Sequence, residues 1–348
     1  MLSFLSSMMD YNNSNQDYDL ILLYKYDSIN SISVYFAVSP GKCVTSAVLN
    51  LLDKLIKINV SQLIETIPNE AKAVEYLQKH GLIPETKECK NGHQMKLSVG
   101  TVIRWRCYLK DCRKQVGVRV GTWFQGTKMP LKTAIRFIYH WANEESSGER
   151  MKRELDLDPG TTVDWNSLLR EVCLFMEKKD ENMIGGKGYT VEVDETLLAR
   201  RKNHAGRMLG QQWCFEGVCR ETKECFVEPV ADRTSETLME VLKRRVHPET
   251  LIISDMWRGY SQVGASGYEH LKVNHKYNFV DPLTNAHTQN IERVWRSVKE
   301  RSKKHNGTHR SMLDGYMHEF SWRRKNKNNE FQSILRDIII FNNFLNEE

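Results

Sequence analysis

Three acidic residues have the type and spacing of a divalent-metal cluster. Asp194 ends the alternating run VEVD, Asp255 ends the apolar run LIISD, and Glu292 lies in the stretch QNIERVWRSVK. Carboxylate oxygens are the ligands that Mg²⁺ prefers. Two such cations, about 3.5–4 Å apart, clamp the attacking and leaving oxygens of a displacement at phosphorus. Aspartate is short and suits a ligand fixed on a strand, whereas the longer glutamate suits one offered from a helix. Between the three lie 60 and 36 residues. Lys299 follows Glu292 by seven positions, two helical turns on, so both share a face. A cation there can hold a phosphate beside the metals. The competing reading is structural, because the chain has 44 acidic residues and many Asp residues near strand ends cap turns. Glu195 falls on the opposite sheet face from Asp194. Asp281, next to Pro282, reads as a turn residue. His275 and His287 flank that turn and read first as loop hydrogen-bonding groups, with a site role for His287 as the alternative.

A second constellation is Cys89-x3-His93 and Cys107-x4-Cys112, with 13 residues between the pairs. Two ligand pairs on two turns are what a tetrahedral structural Zn²⁺ needs. The alternative is buried thiols and a surface histidine. Cys43, Cys173, Cys214, Cys219 and Cys225 sit in apolar or strand contexts and read as small core residues. Eight cysteines in 348 residues do not make a disulfide scaffold, so a reducing compartment is expected.

The elements that must position these groups follow from periodicity. Residues 1–60 lack clear patterning at their polar start and are read as poorly ordered or appended. Residues 61–128 combine a helix over 61–80, broken at Pro68-Asn69, with short hairpins carrying the Cys/His pairs. Residues 129–184 are helical, with Pro130 at a helix start, Asp158-Pro159-Gly160 as a turn and a helix over 163–178; helix-turn-helix is one option. Residues 185–325 switch to strands at 190–194, 212–219 and 224–230, a helix at 235–246, a strand at 251–255, a strand at 270–274, a loop at 275–288 and a helix at 289–303. Residues 326–348 form a C-terminal helix. The fold class is α/β: the order βββαβαβα is that of a ribonuclease-H-like domain, preceded by a small zinc ribbon and a helical segment. In that fold the first and fourth strands are neighbours, so Asp194 and Asp255 converge and the last helix delivers Glu292.

Charge points to a polyanion. Residues 87–128 hold ten Lys/Arg against two acids, and residues 293–327 hold eleven against three. Two separated basic blocks fit two surfaces on a polyphosphate, against the alternative of solvated faces. In the first block Arg104, Arg106, Lys110, Arg113, Lys114 and Arg119 alternate with aromatic residues, and Arg293 and Arg296 open the second. Trp105 and Trp123 read as core packing rather than base stacking. No run of 18 apolar residues is present, so no membrane span is expected, and the first ten residues lack the features of a signal peptide.

VEVDET, LIISDMWRGY, VNHKYNFVDP and AHTQNIERVWRSVK, in this order, resemble the ISXO2-like (IS1595-type) transposase domain, and most closely its eukaryotic Merlin branch. The resemblance covers roughly residues 70–325. It implies a DDE transposase with Asp194, Asp255 and Glu292 as ligands of two Mg²⁺ or Mn²⁺ ions, and Lys299 as the lysine of the pattern. CKNGHQMKL, RWRC and CRKQVGVRVGTWFQG resemble the family's zinc ribbon, which implies one structural Zn²⁺ on Cys89, His93, Cys107 and Cys112. The implied partners are double-stranded DNA (terminal inverted repeats and target) and further copies of the chain, as a homodimer or higher oligomer. The implied location is the nucleus and the implied reaction cut-and-paste strand transfer. The alternatives are a transposase-derived DNA-binding protein without catalysis and, less well supported, a nuclease that only hydrolyses.

Overall fold

The computed structural model describes residues 21–28, 31–37 and 58–347, apart from 101, 181, 198–212, 278 and 305–309; at 21–37, 301–304 and 310 the description is of the backbone. Two units divide the chain, Met1–Lys57 and Ile58–Glu348. In the first, β1 (Ile21–Ser28) pairs antiparallel with β2 (Ser31–Ala37). ILLYKYDS and SISVYFA are rich in the β-branched and aromatic residues that favour strands. Cys43 lies outside the described residues.

The second unit opens with α1 (Val60–Thr66) and α2 (Glu70–Lys79), each started by an asparagine cap: Asn59 and Asn69 accept from the backbone N–H three residues on. The break between them falls at Pro68, as the sequence suggests. Strands β3 (Lys87–Glu88), β4 (Gln94–Ser98), β5 (Arg104–Arg106) and β6 (Gln115–Gly117) form a small antiparallel sheet in sequential order. Helices α3 (Leu131–Ala142), α4 (Gly148–Leu155) and α5 (Pro159–Lys179) follow. The last starts four residues earlier than periodicity suggests. Asp158 accepts from the Thr161 N–H at 3.0 Å, and Pro159 occupies the first helical position, where its missing N–H costs nothing. What reads as a turn is therefore the cap and first turn of the helix.

The larger sheet consists of β7 (Thr190–Leu197), β8 (Trp213–Cys219), β9 (Cys225–Val230), β10 (Leu251–Asp255) and β11 (Glu269–Val273). Its order is β9-β8-β7-β10-β11. The first three strands are antiparallel to one another, and β10 runs parallel to both β7 and β11. This is the ribonuclease-H-like topology. Helix α6 (Ser235–Arg245) covers one face, packing Leu238, Met239 and Leu242 on Val191, Val193, Phe215 and Ile252. Helices α7 (Gln289–Lys304) and α8 (Arg310–Lys325) cover the other, packing Ile291, Trp295, Val298 and Met317 on Cys214, Val218 and Val227.

The final helix, α9 (Glu330–Glu347), turns back on the front of the unit. Its Phe331, Ile334, Leu335 and Ile338 share a core with Leu63, Leu77, Phe137 and Trp165. Trp322 of α8 joins the same core and donates to the buried Asp337 at 2.7 Å. Arg323 reaches across to the carbonyls of Trp141 and Ala142 at 2.8 and 2.9 Å. These contacts tie the helices behind the large sheet to the front-end helices. No helix among the described residues is long and apolar enough to cross a membrane.

Close packing inside the large sheet depends on one glycine. Gly217 pairs with Val193 on one side and Phe226 on the other, and the Phe226 ring lies over it. A Cβ built there would overlap the edge of the Phe226 ring. Gly217→Ala is expected to lower unfolding free energy by about 1–3 kcal/mol through overpacking, read as a shift of the urea midpoint; an unchanged midpoint would contradict this packing.

Candidate active site

Strand parity builds the site. Along β7, Val191 and Val193 face α6, while Glu192 and Asp194 face α7. Asp194 and Asp255 lie on adjacent parallel strands. Asp194 is half-buried, and its Oδ1 accepts from the Glu195 N–H at 2.9 Å. Burial, together with the charges of Glu195 and Asp255, pushes its pKa from 3.8 up to about 7. The buried Trp295 indole on α7 pulls in the other direction, without forming a well-directed hydrogen bond. Asp255 Oδ1 accepts from the Trp257 N–H at 2.8 Å, which fixes its carboxylate at the strand end.

Glu195 sits on the opposite face, as parity requires. It accepts from Tyr260 Oη at 2.5 Å, and Arg233 lies 3.6 Å away, its guanidinium set between Trp213 and Trp257. Glu216, the cross-strand partner of Asp194, is fully buried, and neither of its oxygens has a hydrogen-bond partner. Burial, and then the charge of Asp194, pushes its pKa well above the usual carboxylate range. Parity alone places Glu216 on this face, but the neighbouring strand's register is needed to see it.

The helix carrying Glu292 is held by a group the sequence reading did not single out. Glu192, fully buried, accepts from the backbone N–H of Asn290 at 2.9 Å and of Ile291 at 3.1 Å. It also accepts from Asn290 Nδ2 at 2.7 Å and Arg220 Nε at 2.6 Å. Arg220 donates onward to the His287 carbonyl. A carboxylate of the central strand thus caps the N-terminus of α7, where unpaired N–H groups and the helix dipole favour negative charge. The available signal was parity: Glu192 is an acid on the same face as Asp194, set between Val191 and Val193.

Glu292 lies in the first turn of α7 and is exposed, as are Arg293, Arg296 and Lys299. Glu292, Arg296 and Lys299 share a face at helical spacing. The structure brings Asp194 and Asp255 together but does not close Glu292 onto them. Among the described residues, no group of three or more His, Cys, Asp or Glu except the ribbon cluster has its ligand atoms within 4.8 Å of one another. His275 bonds Thr288 at 2.9 Å, His287 Nδ1 lies 3.6 Å from Glu192, and Asp281 accepts from Leu283 and Thr284 in a turn; all three brace the loop before α7.

In the small sheet, Cys89, His93, Cys107 and Cys112 converge, all within 4.8 Å. Cys89 Sγ lies 3.6 Å from Cys112 Sγ, and Cys107 Sγ lies 3.7 Å from His93 Nδ1. Ligands at about 2.0–2.3 Å around a tetrahedral zinc stand roughly 3.5–3.8 Å apart, so the donor set fits that ion. Against the upward pull of burial, the Asn91 and His93 backbones and the neighbouring thiols hold the Cys89 thiol below its usual pKa. Cys173, Cys214, Cys219 and Cys225 are buried core residues. Trp105 is buried in the ribbon, and Trp123 packs edge-on against Trp165.

Of the basic residues singled out around the ribbon, Lys110, Arg113 and Lys114 are exposed, and Arg104 and Arg106 are half-buried. Arg104 bonds Gln115 across the strands at 2.9 Å. Arg119 departs from its expected role. It donates to the carbonyls of Thr127 and Met129 at 2.7 and 2.6 Å, and burial lowers its pKa against the pull of Glu70. Glu70 in turn accepts from the N–H groups of Leu131 and Lys132 at the start of α3. Arg119 is therefore occupied in joining the ribbon to the helices, a use that spacing cannot reveal.

Residues 183–325 match the ISXO2-like transposase domain. A transposase-like protein of Haemophilus influenzae is 26% identical over 106 residues, spanning 30% of this chain and 85% of that protein. Among solved structures, the catalytic core domain of BIV integrase is similar at 11% identity and a TM-score of 0.27, over 40% of this chain and 84% of that one. The pre-cleavage Mos1 transpososome is similar at 10% identity and a TM-score of 0.20, over 59% and 77%. These scores are low, and the strand order and directions of the five-stranded sheet establish the fold by themselves.

The raised Asp194 pKa has a consequence for metal-free protein. A carboxyl whose folded pKa lies above its unfolded value contributes stability in acid that is lost as pH rises through the folded value. With 3.8 and about 7 as the two values, wild-type protein in chelator is penalised across that window. Asp194→Asn is expected to melt higher than wild type above about pH 7. The difference should shrink to nothing by about pH 4 in parallel melting curves, and equal curves at pH 8 would contradict the crowding of charge.

Proposed function

We propose that this chain is a DNA transposase that cleaves and joins DNA ends by a cut-and-paste reaction, with Asp194, Asp255 and Glu292 holding a pair of Mg²⁺ or Mn²⁺ ions. The observation that carries the reading is that Asp194 and Asp255 lie on adjacent parallel strands at one end of the sheet within the matched region, where burial and the charges of Glu195 and Asp255 raise the Asp194 pKa to about 7. When bound, the ions supply the Lewis acidity that activates an oxygen nucleophile and steadies the leaving oxygen. Asp194 and Asp255 present their carboxylates from rigid strands. Glu292 approaches from the exposed first turn of α7 and completes the set when DNA seats on that helix, whose Arg293, Arg296 and Lys299 offer phosphate contacts.

The ribbon supports a second DNA contact through Arg104, Arg106, Lys110, Arg113 and Lys114, on a scaffold held by Zn²⁺ at Cys89, His93, Cys107 and Cys112. Terminal inverted repeats and target DNA are the proposed partners, with a homodimer or higher oligomer joining two ends. The motif order favours the Merlin branch, and with it a nuclear protein. The exposed position of Glu292 favours one second reading, a DNA-binding derivative without catalysis.

The two are separated by activity. Wild-type protein with terminal-repeat duplex and Mg²⁺ or Mn²⁺ is expected to cut and join, while Asp194→Asn and Asp255→Asn bind the duplex and do neither. Strand transfer by Asp194→Asn would overturn the assignment; binding without cutting by wild type would favour the derivative. For the ribbon, elemental analysis is expected to find one zinc per wild-type chain and none in Cys107→Ser/Cys112→Ser. Equal zinc in both would remove these residues from the metal site.

A further inference from the structure

The loop joining β11 to α7 carries a feature that the carboxylate chemistry leaves unused. Tyr277, Phe279 and Leu283 are 72%, 75% and 95% exposed, all within seven positions. Exposed apolar side chains are common singly, but three so fully exposed on one short loop call for a partner.

The base of the loop is built firmly. Ala286 is buried against Ile253 and Val273, and the Asp281 N–H donates to the Ala286 carbonyl at 2.9 Å. Asp281 Oδ1 accepts from the Leu283 and Thr284 N–H groups at 3.0 and 2.9 Å, and His275 bonds Thr288. The apolar residues are thus carried on a braced support rather than left over from a poorly packed core.

The two feet of the loop stand at the active site. It leaves β11 directly after Val273, the register partner of Asp255, and it ends at Thr288, two residues before Asn290, whose N–H is bound by Glu192 two positions from Asp194. The surrounding charge is positive: residues 272–299 hold five Lys/Arg (Lys272, Lys276, Arg293, Arg296, Lys299) against two acids, Asp281 and Glu292. All five cations are exposed, while Asp281 is occupied in its turn. A partner that is anionic outside and presents flat apolar surface within is a nucleic-acid duplex whose terminal bases have opened.

We propose that Tyr277, Phe279 and Leu283 form a wedge that unpairs the end of the DNA duplex beside the carboxylates, stacking on the exposed bases so that the strand to be cut reaches Asp194 and Asp255. The inference deepens the transposase reading and rests on it. Stacking of aromatic side chains on the exposed bases offsets the cost of unstacking them.

The test uses full-length protein, Ca²⁺ in place of Mg²⁺, and a blunt duplex of about 30 base pairs with 2-aminopurine near one end. Its companion is the same duplex with its last two pairs mismatched. Wild type is expected to raise the 2-aminopurine fluorescence about threefold on the paired end. Tyr277→Ala/Phe279→Ala, whose substitutions lie on the surface and leave the core intact, is expected to lose that rise. The variant should bind the paired end several-fold more weakly by anisotropy and recover to within about twofold of wild type on the mismatched end. A variant that opens the paired end as well as wild type overturns the wedge. So does a binding defect that the mismatched end does not rescue, and so does wild type that binds the paired end without opening it, the transposase reading standing in each case. Failure of wild type to bind either duplex overturns both readings together.

Discussion

The arrangement turns on a buried carboxylate, Glu192, that never needs to touch substrate. It accepts two backbone N–H groups and an amide from the start of α7, and the Arg220 guanidinium completes its set of partners. A buried charge without partners would cost several kcal/mol, and the helix terminus would be left with unpaired donors. The two deficits cancel only when α7 docks at this one place on β7. That docking sets Trp295 beside Asp194 and places the exposed face of Glu292, Arg296 and Lys299 at the sheet end. A helix held by apolar contacts alone could slide by a turn at modest cost; one held by a carboxylate on its N-terminal N–H groups cannot.

Around this fixed point the site gathers like charges. The pKa of Asp194 is pushed up to about 7, and burial pushes that of Glu216 well above the usual carboxylate range. Such crowding is unfavourable without a cation and becomes affinity when one arrives. The Glu195–Tyr260 bond and the nearby Arg233 hold Glu195 in place, so the repulsion is not relieved by its moving away from Asp194. The small sheet follows the same logic with softer ligands: three thiols and an imidazole at zinc spacing organise a sheet too short to hold a large apolar core.

Much of this was legible in the sequence where periodicity is short. Alternation along VEVDE separates Asp194 from Glu195, and the element order yields the sheet in which Asp194 and Asp255 become neighbours. The Cys/His pairs needed only two turns to converge. What was not legible depends on contacts between distant segments. Glu192 and Asn290 are 98 residues apart, and nothing in either segment names the other. Arg119 looked like one more basic residue of a DNA-facing ribbon, yet carbonyls of residues 127 and 129 occupy it. The return of α9 to the front-end core is likewise a long-range choice, made by apolar residues that any helix partner could have covered. The exposed Glu292 follows from helix phase, since Ile291, Val294, Trp295 and Val298 occupy the buried stripe.

The central claim is that Glu292, presented by the docked helix, joins Asp194 and Asp255 in one metal centre when DNA is bound. The most direct measurement is anomalous scattering from Mn²⁺ in crystals of the Asp194-intact protein with terminal-repeat DNA carrying a non-cleavable linkage. The expected result is two peaks about 3.5–4 Å apart, with Asp194 and Asp255 on the ions and the Glu292 carboxylate drawn in from its exposed position. Peaks that leave Glu292 in solvent, or none at Asp194 and Asp255, would contradict the account.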